Sequence, residues 1–327
     1  MKSILVTGGA GYIGSHTAKA LAKAGYQPIV YDNLSKGHRW AVQWGPLVVG
    51  DLSNRALLRE TMQAHNVSAV MHFASHIEVG ESMINPFKYL HGNVDASLNL
   101  LEAMQEAGVR RIVFSSTAAI YGDPVQVPMT ESHPQAPVNP YGEAKRFVER
   151  SLHWYAQAHG FRWTALRYFN ASGADPDGEI GEQHDPESHL IPRIIYAALG
   201  QQKSISIFGT DYPTPDGTAV RDYIHVVDLA DAHLKAIERL AAGAESIALN
   251  LGTGHGHSVR EVIASVERVS GRRVPVVEAP RRAGDPPVLV ADSTQAQQIL
   301  NWTPQHAAID DIVGTAWNWH TRPAAHS

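Results

Sequence analysis

Cysteine is absent from this 327-residue chain. Its absence excludes disulfides, thiolate metal ligands and a cysteine nucleophile, and it suits a reducing cytoplasm. Long apolar runs are missing as well, since none approaches the roughly 20 residues that span a bilayer. The segment Met1–Val6 lacks the apolar region and cleavage site of a signal peptide. We therefore expect a cytoplasmic protein without a membrane span.

Excess positive charge is also lacking. The 27 Lys and Arg residues against 32 Asp and Glu give a formal net charge of −5, which argues against nucleic acid as a partner. The 18 histidines are scattered. No His-x3-His pair beside a carboxylate places two imidazoles on one helical face, so we expect no metal site. What is present is 44% hydrophobic residues, enough for a large core.

The first half of the chain alternates β-branched runs with longer helical stretches. Strand candidates run from Ile4–Thr7 to Trp163–Arg167, and helix candidates include Ser15–Ala24 and Asn93–Ala107, each followed by glycine. This alternation predicts an α/β fold with a doubly wound parallel sheet of the Rossmann type over residues 1–171. Residues 172–327 predict a smaller α+β domain, with segments that interleave with the first.

The second half has two candidate helix starts. Ser258-x-x-Glu261 and Asp292-x-x-Gln295 both have the spacing of a capping box. Between the halves, Ala171–Pro192 is rich in Gly, Pro and acidic residues, and it predicts a long loop. A loop of that length in a compact protein is more often functional than incidental.

A glycine-rich turn follows the first predicted strand. Its Gly-x-x-Gly-x-x-Gly pattern consists of Gly8, Gly11 and Gly14. Small residues let a pyrophosphate approach the amides at a helix N-terminus. Asp32 ends the second strand, where a carboxylate accepts from the adenosine ribose hydroxyls and repels a 2′-phosphate, so we predict NAD rather than NADP. Asp51-Leu52 ends the third strand, and Asp51 is either an adenine contact or a helix N-cap.

Tyr141 and Lys145 are four residues apart at a predicted helix start, so both fall on one helical face. A lysine cation near the phenol lowers a tyrosine pKa that is normally about 10, which makes Tyr141 a base near neutral pH. Ser115 and Thr117 follow the fifth strand at its carboxyl end, the edge where open α/β sheets bind ligands. A hydroxyl there is expected to share a proton with the substrate and with Tyr141.

The glycine turn, the Ser-Ser-Thr strand end and Tyr-x3-Lys, in this order, resemble the extended short-chain dehydrogenase/reductases. Longer stretches are similar to the UDP-glucose 4-epimerases within them. These are His72-Phe73-Ala74, Val79-Gly80-Glu81-Ser82, Arg167-Tyr168-Phe169-Asn170, the stretch from Gly217 to His225, and Arg281-Arg282-Ala283-Gly284-Asp285. The likeness extends from Met1 to about Trp319. It implies an NAD-dependent isomerase that interconverts UDP-galactose and UDP-glucose through a 4-keto sugar.

The resemblance implies a role for each reacting side chain. Tyr141 takes the proton of the sugar 4-hydroxyl while the C4 hydride passes to the nicotinamide. Lys145 bonds the nicotinamide ribose, and Thr117 bridges to the sugar O4. The further cofactor contacts implied by the resemblance are Tyr12, Ile13, Asn33, Phe73, Ala74, Asn93, Ser115 and Phe169.

The resemblance also implies a substrate site in the second half. Arg221 and Arg282 match pyrophosphate ligands, Asp285 matches a uridine ribose contact, and Leu289 falls on the gate residue beside the sugar. Leucine is intermediate in size at the gate, so UDP-galactose is expected to be preferred over UDP-GalNAc. The other substrate residues implied are Asn170, His189, Leu190, Ser206, Phe208 and Tyr223.

Other functions stay open at this point. Another UDP-sugar, such as UDP-xylose/UDP-arabinose or an N-acetylhexosamine, would use the same chemistry. A 4,6-dehydratase is disfavoured because Ala118 and Ala119 stand where that reaction needs an acid and a base. A regulator that only binds NAD is disfavoured because it needs neither Tyr141 nor Lys145.

A homodimer is expected by family analogy. Its interface would be a four-helix packing of the helices Asn93–Ala107 and Tyr141–His159. The apolar positions at helical spacing that support it are Leu98, Leu101, Phe147 and Leu152.

Overall fold

The computed structural model describes residues 2–282 and 284–322. Its strands are β1 Ser3–Thr7, β2 Gln27–Asp32, β3 Leu47–Val49, β4 Val67–His72, β5 Arg111–Ser115, β6 Arg162–Arg167, β7 Asn170–Ser172, β8 Ile205–Phe208, β9 Val220–His225, β10 Ile247–Asn250, β11 Gly256–Ser258, β12 Val276–Ala279 and β13 Val288–Leu289. Its helices are α1 Tyr12–Lys23, α2 Arg55–Ala64, α3 Val79–Ile84, α4 Pro86–Tyr89, α5 Ala96–Glu106, α6 Pro140–His159, α7 Leu190–Ala198, α8 Val226–Ala241, α9 Val259–Ser270, α10 Thr294–Leu300 and α11 Ile309–His320.

A seven-stranded sheet forms the larger lobe, in the order β10-β6-β5-β4-β1-β2-β3, with every neighbouring pair parallel. Alternate residues of a strand face opposite layers. Leu5 packs with Leu101 and Leu152 on one face, whereas Val6 packs with Leu229 of α8 on the other. The α/β doubly wound fold expected from the sequence is confirmed.

The strand β10 comes from the second half of the chain but lies in this sheet beside β6. The helix α8 likewise packs against α1 and the larger sheet. The remaining strands make a smaller lobe in which β9 pairs with β7, β11 and β13, and β8 pairs with β12. The helices α7, α9 and α11 enclose the core of this lobe, which includes Ile194, Val262 and Ile312.

Several predicted boundaries differ from the structure. The helix expected to begin at Ser15 begins at Tyr12, with Gly11 in an extended conformation as its N-cap. The expected helix over Asn93–Ala107 has a wider π-type turn at Leu90–Asp95 before its regular part. The predicted loop Ala171–Pro192 is shorter than expected, since its first residues belong to β7 and α7 has begun by Leu190.

One of the two predicted capping boxes is confirmed. The Ser258 hydroxyl accepts from the Glu261 amide at 3.1 Å, and the Glu261 carboxylate accepts from the Ser258 amide at 2.7 Å. The second is wrong, because α10 has Ser293 as its N-cap, without a side-chain capping bond. The Asp292 carboxylate accepts from the Thr294 amide at 2.9 Å, and not from the amide of Gln295 as a capping box requires.

The apolar helix positions assigned to a dimer interface divide into two groups. Leu101 and Leu152 are fully buried in the core of the larger lobe, and Leu98 packs against that core, so these residues face the sheet. Phe147, by contrast, is 49% exposed. Within the part of the chain that the structure describes, no helix has the length and apolar character needed to cross a membrane.

Candidate active site

The glycine turn between β1 and α1 is closely packed by the backbone around it. Gly8 has a φ of +73°, and a Cβ there would lie 2.5 Å from the Ala74 amide nitrogen. A Cβ on Gly14 would lie 2.3 Å from the Gly8 carbonyl oxygen. Gly11 is the N-cap of α1 and offers no side chain to cap it. The amides of the first helical turn therefore face an approachable surface that suits a pyrophosphate.

Asp32 lies beside this turn. Its Oδ2 accepts from the Ala10 amide at 3.0 Å and its Oδ1 from the Leu34 amide at 2.8 Å. These bonds hold a largely buried carboxylate at the end of β2, next to the first turn of α1. That position suits a bond to the ribose hydroxyls of NAD and disfavours a 2′-phosphate.

Asp51 is not the N-cap of α2, so that alternative is wrong. Asn54 is the N-cap, and its side chain accepts from the Leu57 amide at 3.1 Å. The Asp51 carboxylate instead accepts from the Ser53 amide at 2.9 Å and from the Asn33 side chain at 2.7 Å. Hydrogen bonds from Ser53 and then Asn33 lower the Asp51 pKa. The following residue, Leu52, is buried in the core of the larger lobe.

Asn93 braces the segment that follows β4. Its Oδ1 accepts from the His76 amide at 2.8 Å and its Nδ2 donates to the His76 carbonyl at 3.0 Å. The Phe73 and Ala74 amides both donate to the Thr7 carbonyl, at 2.9 and 3.1 Å. Phe73 and Ala74 are thereby held against the glycine turn, where the sequence placed them.

The helix α6 begins where its sequence favours a start. The Asn139 side chain accepts from the Gly142 amide at 2.8 Å, and Pro140 occupies the first helical position. This start places Tyr141 and Lys145 in the first two turns. The Lys145 Nζ donates to the Ser115 carbonyl at 2.9 Å and lies 5.8 Å from the Tyr141 ring centre.

Thr117 completes the group of side chains at the end of β5. Its hydroxyl caps the short turn Ala118–Tyr121 by accepting from the Ala119 amide at 3.1 Å. The Thr117 side chain also lies near enough to Tyr141 to lower the pKa of the phenol. The structure thus brings Tyr141, Lys145, Ser115 and Thr117 together at the carboxyl edge of the sheet.

Burial dominates the electrostatics of the pair. It raises the pKa of Tyr141 to about 12, and the interaction with Thr117 opposes the shift only in part. Burial lowers the pKa of Lys145 to about 7, against the attraction of the Glu149 charge. The low Tyr141 pKa expected from the sequence is therefore not produced by these side chains alone. A buried phenol needs more positive charge nearby than a half-protonated lysine supplies.

A buried network beneath the pair was not predicted. Glu149 accepts from Arg167 at 2.5 and 3.0 Å and from the Ser116 hydroxyl at 2.5 Å. Arg167 also donates to the Tyr121 hydroxyl at 2.9 Å, which donates to Asn250 at 2.6 Å. The sequence does contain a signal for Glu149. It follows Lys145 by four residues, as Lys145 follows Tyr141, so all three share one face of α6.

Tyr168 was also missed. Its hydroxyl lies 2.5 Å from the Ser115 hydroxyl, within hydrogen-bonding distance, and burial raises its pKa. The Ala118 amide donates to the Tyr168 carbonyl at 3.0 Å, so the residue joins β6 to the Thr117 turn. Residue spacing could not predict the contact between Ser115 and Tyr168, because Ser115 ends β5 whereas Tyr168 follows β6.

Two arginines lie in the smaller lobe, as the substrate prediction requires. Arg221 in β9 pairs with Asp285 and donates to the Val220 carbonyl at 2.7 Å. The Arg282 guanidinium lies 4.0 Å from the Phe208 ring centre, in a cation–π contact. The predicted phosphate and ribose ligands are thus neighbours.

Three further predicted substrate residues lie on strands of the smaller lobe. Asn170 in β7 pairs with Tyr223 and donates to the Asp222 carbonyl at 3.1 Å. Tyr223 is buried in the core of the smaller lobe, and burial raises its pKa. Ser206, in β8, is half-buried and pairs with Val277 of β12.

Leu289 lies close to the catalytic strand end. With Phe169, it packs against an apolar cluster that includes Ala118, Tyr121 and Met129. In the parallel pairing of β13 with β9, Leu289 stands beside Arg221. Leu289 therefore lies between the strand end that carries Thr117 and the predicted diphosphate ligand Arg221.

His189 precedes α7, and its Nδ1 faces two carboxylates. That nitrogen lies 2.7 Å from a Glu182 oxygen and 3.3 Å from a Glu187 oxygen. Leu190, the first residue of α7, is half-buried. The pattern Glu182-x-His184-x-x-Glu187-x-His189 was not predicted, because it lies in a loop and lacks the helical His-x3-His spacing.

Residues 4–252 match the model of the NAD dependent epimerase/dehydratase family. The chain belongs to this family. A curated relative, the UDP-glucose 4-epimerase of Rhizobium leguminosarum bv. trifolii, is 51% identical over 325 residues and covers 99% of both chains.

Solved structures of family members are similar throughout. A UDP-glucose 4-epimerase from Brucella ovis in complex with NAD has a TM-score of 0.96 and 51% identity, covering 97% of this chain and 98% of its own. A UDP-glucose 4-epimerase from Stenotrophomonas maltophila, with bound NAD and formylated UDP-arabinopyranose, has a TM-score of 0.94 and 41% identity, covering 98% of both. The predicted enzyme class and the NAD cofactor are confirmed.

We expect NAD, and not NADP, to remain bound through purification, because the glycine turn and Asp32 suit it and the reaction returns it unchanged. Denaturing the purified protein and assaying the supernatant for each dinucleotide measures this. Asp32→Asn should lower NAD content, while Asp311→Asn, at an exposed position in the first turn of α11, is the matched control. Recovery of NADP, or equal NAD in Asp32→Asn, would contradict the role of Asp32.

Proposed function

We propose that this chain is a UDP-glucose 4-epimerase, which interconverts UDP-galactose and UDP-glucose by transient oxidation at C4 to a 4-keto sugar. The observation that carries the proposal is the grouping of Tyr141, Thr117 and Lys145 at one sheet edge beside the glycine turn. Full-length relatives and neighbouring structures that carry this name support the choice of substrate.

The proposed chemistry uses each side chain at a defined atom. Tyr141 removes the proton of the sugar 4-hydroxyl, and Thr117 aligns that hydroxyl by hydrogen bonding to it. Lys145, held by the Ser115 carbonyl, positions the cofactor ribose and contributes positive charge when protonated. NAD, when bound, supplies a reversible hydride acceptor with a positively charged ring. Because burial alone raises the Tyr141 pKa to about 12, we propose that Tyr141 becomes an effective base only in the loaded enzyme.

The substrate diphosphate is assigned to Arg221 and Arg282. Arg221 is paired with Asp285, so a diphosphate would replace that carboxylate and leave Asp285 for the uridine ribose. Arg282 is the more accessible of the two guanidiniums, since it is exposed whereas the Arg221 side chain is 13% exposed. Asn170 is proposed to bond a phosphate or sugar oxygen, while Leu190, Ser206 and Phe208 enclose the uracil.

A 4,6-dehydratase is a weaker candidate. That reaction also removes a C5 proton and expels a C6 hydroxyl, which requires an acid and a base beside Thr117. The neighbouring side chains are the methyl groups of Ala118 and Ala119, and Ala118 is buried. Epimerisation needs no such pair, so the site favours it.

The proposed cellular location is the cytoplasm. The absence of cysteine from all 327 residues suits a reducing compartment, although it does not require one.

Purified protein should convert UDP-galactose to UDP-glucose without added reductant, measured by chromatography of the nucleotide sugars. Tyr141→Phe should lower turnover by about 10²- to 10⁴-fold, because general-base loss has that cost. Its NAD content should stay near that of the unmodified chain, since the phenol is not part of the glycine turn.

Tyr155→Phe, in the same helix but away from the sheet edge, is the matched control. Conversion only with UDP-arabinose or UDP-GlcNAc would favour the alternative sugars. An active Tyr141→Phe protein would show that another group is the base.

Leu289 is proposed to limit the space beside the sugar 2-substituent. Leu289→Cys should raise UDP-GalNAc turnover relative to UDP-galactose, and Leu289→Tyr should lower that ratio. The comparison requires both substrates at matched concentrations. Ile299→Ala, at an exposed site in α10, controls for general effects of apolar substitution. An unchanged ratio in both variants would make Leu289 a packing residue only.

We also propose a homodimer, on a face that differs from the sequence prediction in detail. An apolar surface, here called the helical face, lies on α3, α4, the turn Leu90–Asp95 and α6. Its exposed members are Met83 (62%), Ile84 (86%), Phe87 (72%), Leu90 (42%), Phe147 (49%) and Trp154 (63%). Phe87, Leu90 and Phe147 line one groove on it. Exposed apolar clusters of this kind are typical of subunit interfaces.

Light scattering at micromolar concentration should give twice the chain mass of 35.6 kDa. Phe87→Glu should shift this towards the monomer, because it places a charge in the centre of the helical face. Val277→Glu, at a 53% exposed apolar site in β12, should not. A monomer mass for the unmodified chain, or a dimer that survives Phe87→Glu, would reject this interface.

A further inference from the structure

Four side chains of metal-ligating types converge away from the catalytic edge, in the loop that precedes α7. They are Glu182, His184, Glu187 and His189, called here the histidine–glutamate cluster. One ligand atom from each lies within 4.8 Å of all the others. Two imidazoles and two carboxylates are thus directed at one small volume.

The four converging atoms have unused bonding capacity. Glu182 Oε1, His184 Nδ1, Glu187 Oε2 and His189 Nδ1 are all buried, and none has a hydrogen-bond partner of acceptable geometry among the described residues. Glu182 is only 3% exposed. These atoms meet one another only as histidine–carboxylate pairs at 2.7–3.6 Å, without hydrogen-bond geometry. A poorly paired buried polar atom costs about 1–3 kcal/mol, so a cation shared by all four would be stabilising.

The spacing of these atoms suits a small coordination sphere. His184 Nδ1 lies 3.3 Å from the Glu182 oxygen and 3.6 Å from the Glu187 oxygen, and His189 Nδ1 lies 2.7 Å from the Glu182 oxygen. Zinc bonds nitrogen and oxygen at about 2.0–2.2 Å, which puts tetrahedral ligands roughly 3.3–3.6 Å apart. The two His184 distances match this range, and His189 would lie farther from Glu182 with the ion bound. Imidazole favours Zn²⁺ and its transition-metal neighbours over Ca²⁺ or Mg²⁺.

A second acidic group in the structure provides a contrast. Asp175, Asp177 and Glu179 also place ligand atoms close together. The Lys19 ammonium lies between them, at 2.7, 3.0 and 2.6 Å from their oxygens. That group already has its cation. Among the described ion pairs, no Lys or Arg reaches Glu182 or Glu187, whose recorded partners are His184 and His189.

We propose that the histidine–glutamate cluster binds one divalent transition-metal ion, with Zn²⁺ as the best fit. The ion would join parts of the chain that come from three regions. The Glu182 carbonyl accepts from the Trp319 indole of α11 at 2.9 Å. The His184 ring lies edge-on to the Tyr12 ring of the glycine turn, with centres 6.4 Å apart. His189 is the N-cap of α7. The metal is therefore structural, and it would hold the loop between the cofactor turn and the substrate lobe.

Metal content of untagged protein tests the proposal directly. Plasma mass spectrometry should find about one zinc per chain, and chelated protein should regain it in a calorimetric titration with Zn²⁺. His184→Gln should weaken Zn²⁺ binding roughly tenfold or more, as disturbed metal sites do. Glu187→Gln, a nearly isosteric change, should do the same if His184→Gln folds poorly. Asp177→Asn, in the acidic group that holds Lys19, is the matched control and should bind normally.

Cobalt provides a second measurement that does not depend on activity. Chelated protein loaded with Co²⁺ should show the visible absorption of a tetrahedral site, and Glu187→Gln should lose it. Equal Zn²⁺ affinity in the unmodified chain and both cluster variants would mean adventitious surface binding and overturn the proposal. So would an unmodified chain that takes up no metal. These readouts are independent of turnover, so they do not depend on the proposed epimerase activity.

Discussion

The buried ion pair between Glu149 and Arg167 is the interaction on which the catalytic edge depends. It joins α6 to β6 with two bonds, at 2.5 and 3.0 Å, and both side chains are almost fully buried. Breaking one partner of such a pair typically costs about 3–5 kcal/mol, because the other charge is left without compensation. Through Ser116 and Tyr121 the pair also holds the end of β5 and, by way of Asn250, β10. The positions of Tyr141 and Lys145 follow from this anchoring.

Desolvation is the other constraint on the chemistry. The same packing that aligns Tyr141 and Lys145 removes water from both, which raises the pKa of the phenol and lowers the pKa of the ammonium. Proton removal from the substrate needs a Tyr141 phenolate, which a protonated Lys145 would stabilise, and these two shifts disfavour both charged forms. Nearby positive charge opposes the effect on the phenol, since it favours the phenolate form.

Local features of the site were predictable from the sequence because they depend on neighbours in the chain. Gly8 and Gly14 are required by a turn that is seven residues long, and Tyr141 and Lys145 share a face because the helical repeat places residues four apart together. The capping box of Ser258 and Glu261 belongs to the same class. In such cases the interacting groups are only a few residues apart, so spacing alone specifies the contact.

Contacts between distant segments were decided by the tertiary structure. The sequence predicts that Leu101 and Leu152 are covered, but it does not tell whether the sheet or a second subunit covers them. An apolar helical face has the same pattern in both cases. The pairing of Arg221 with Asp285, and of Ser115 with Tyr168, likewise depends on strand order. The sequence by itself determined the fold class, the dinucleotide turn and the tyrosine–lysine pair, since each is written in local periodicity. Tertiary packing decided burial, charge balance and the convergence of the histidine–glutamate cluster, because these depend on which surfaces meet.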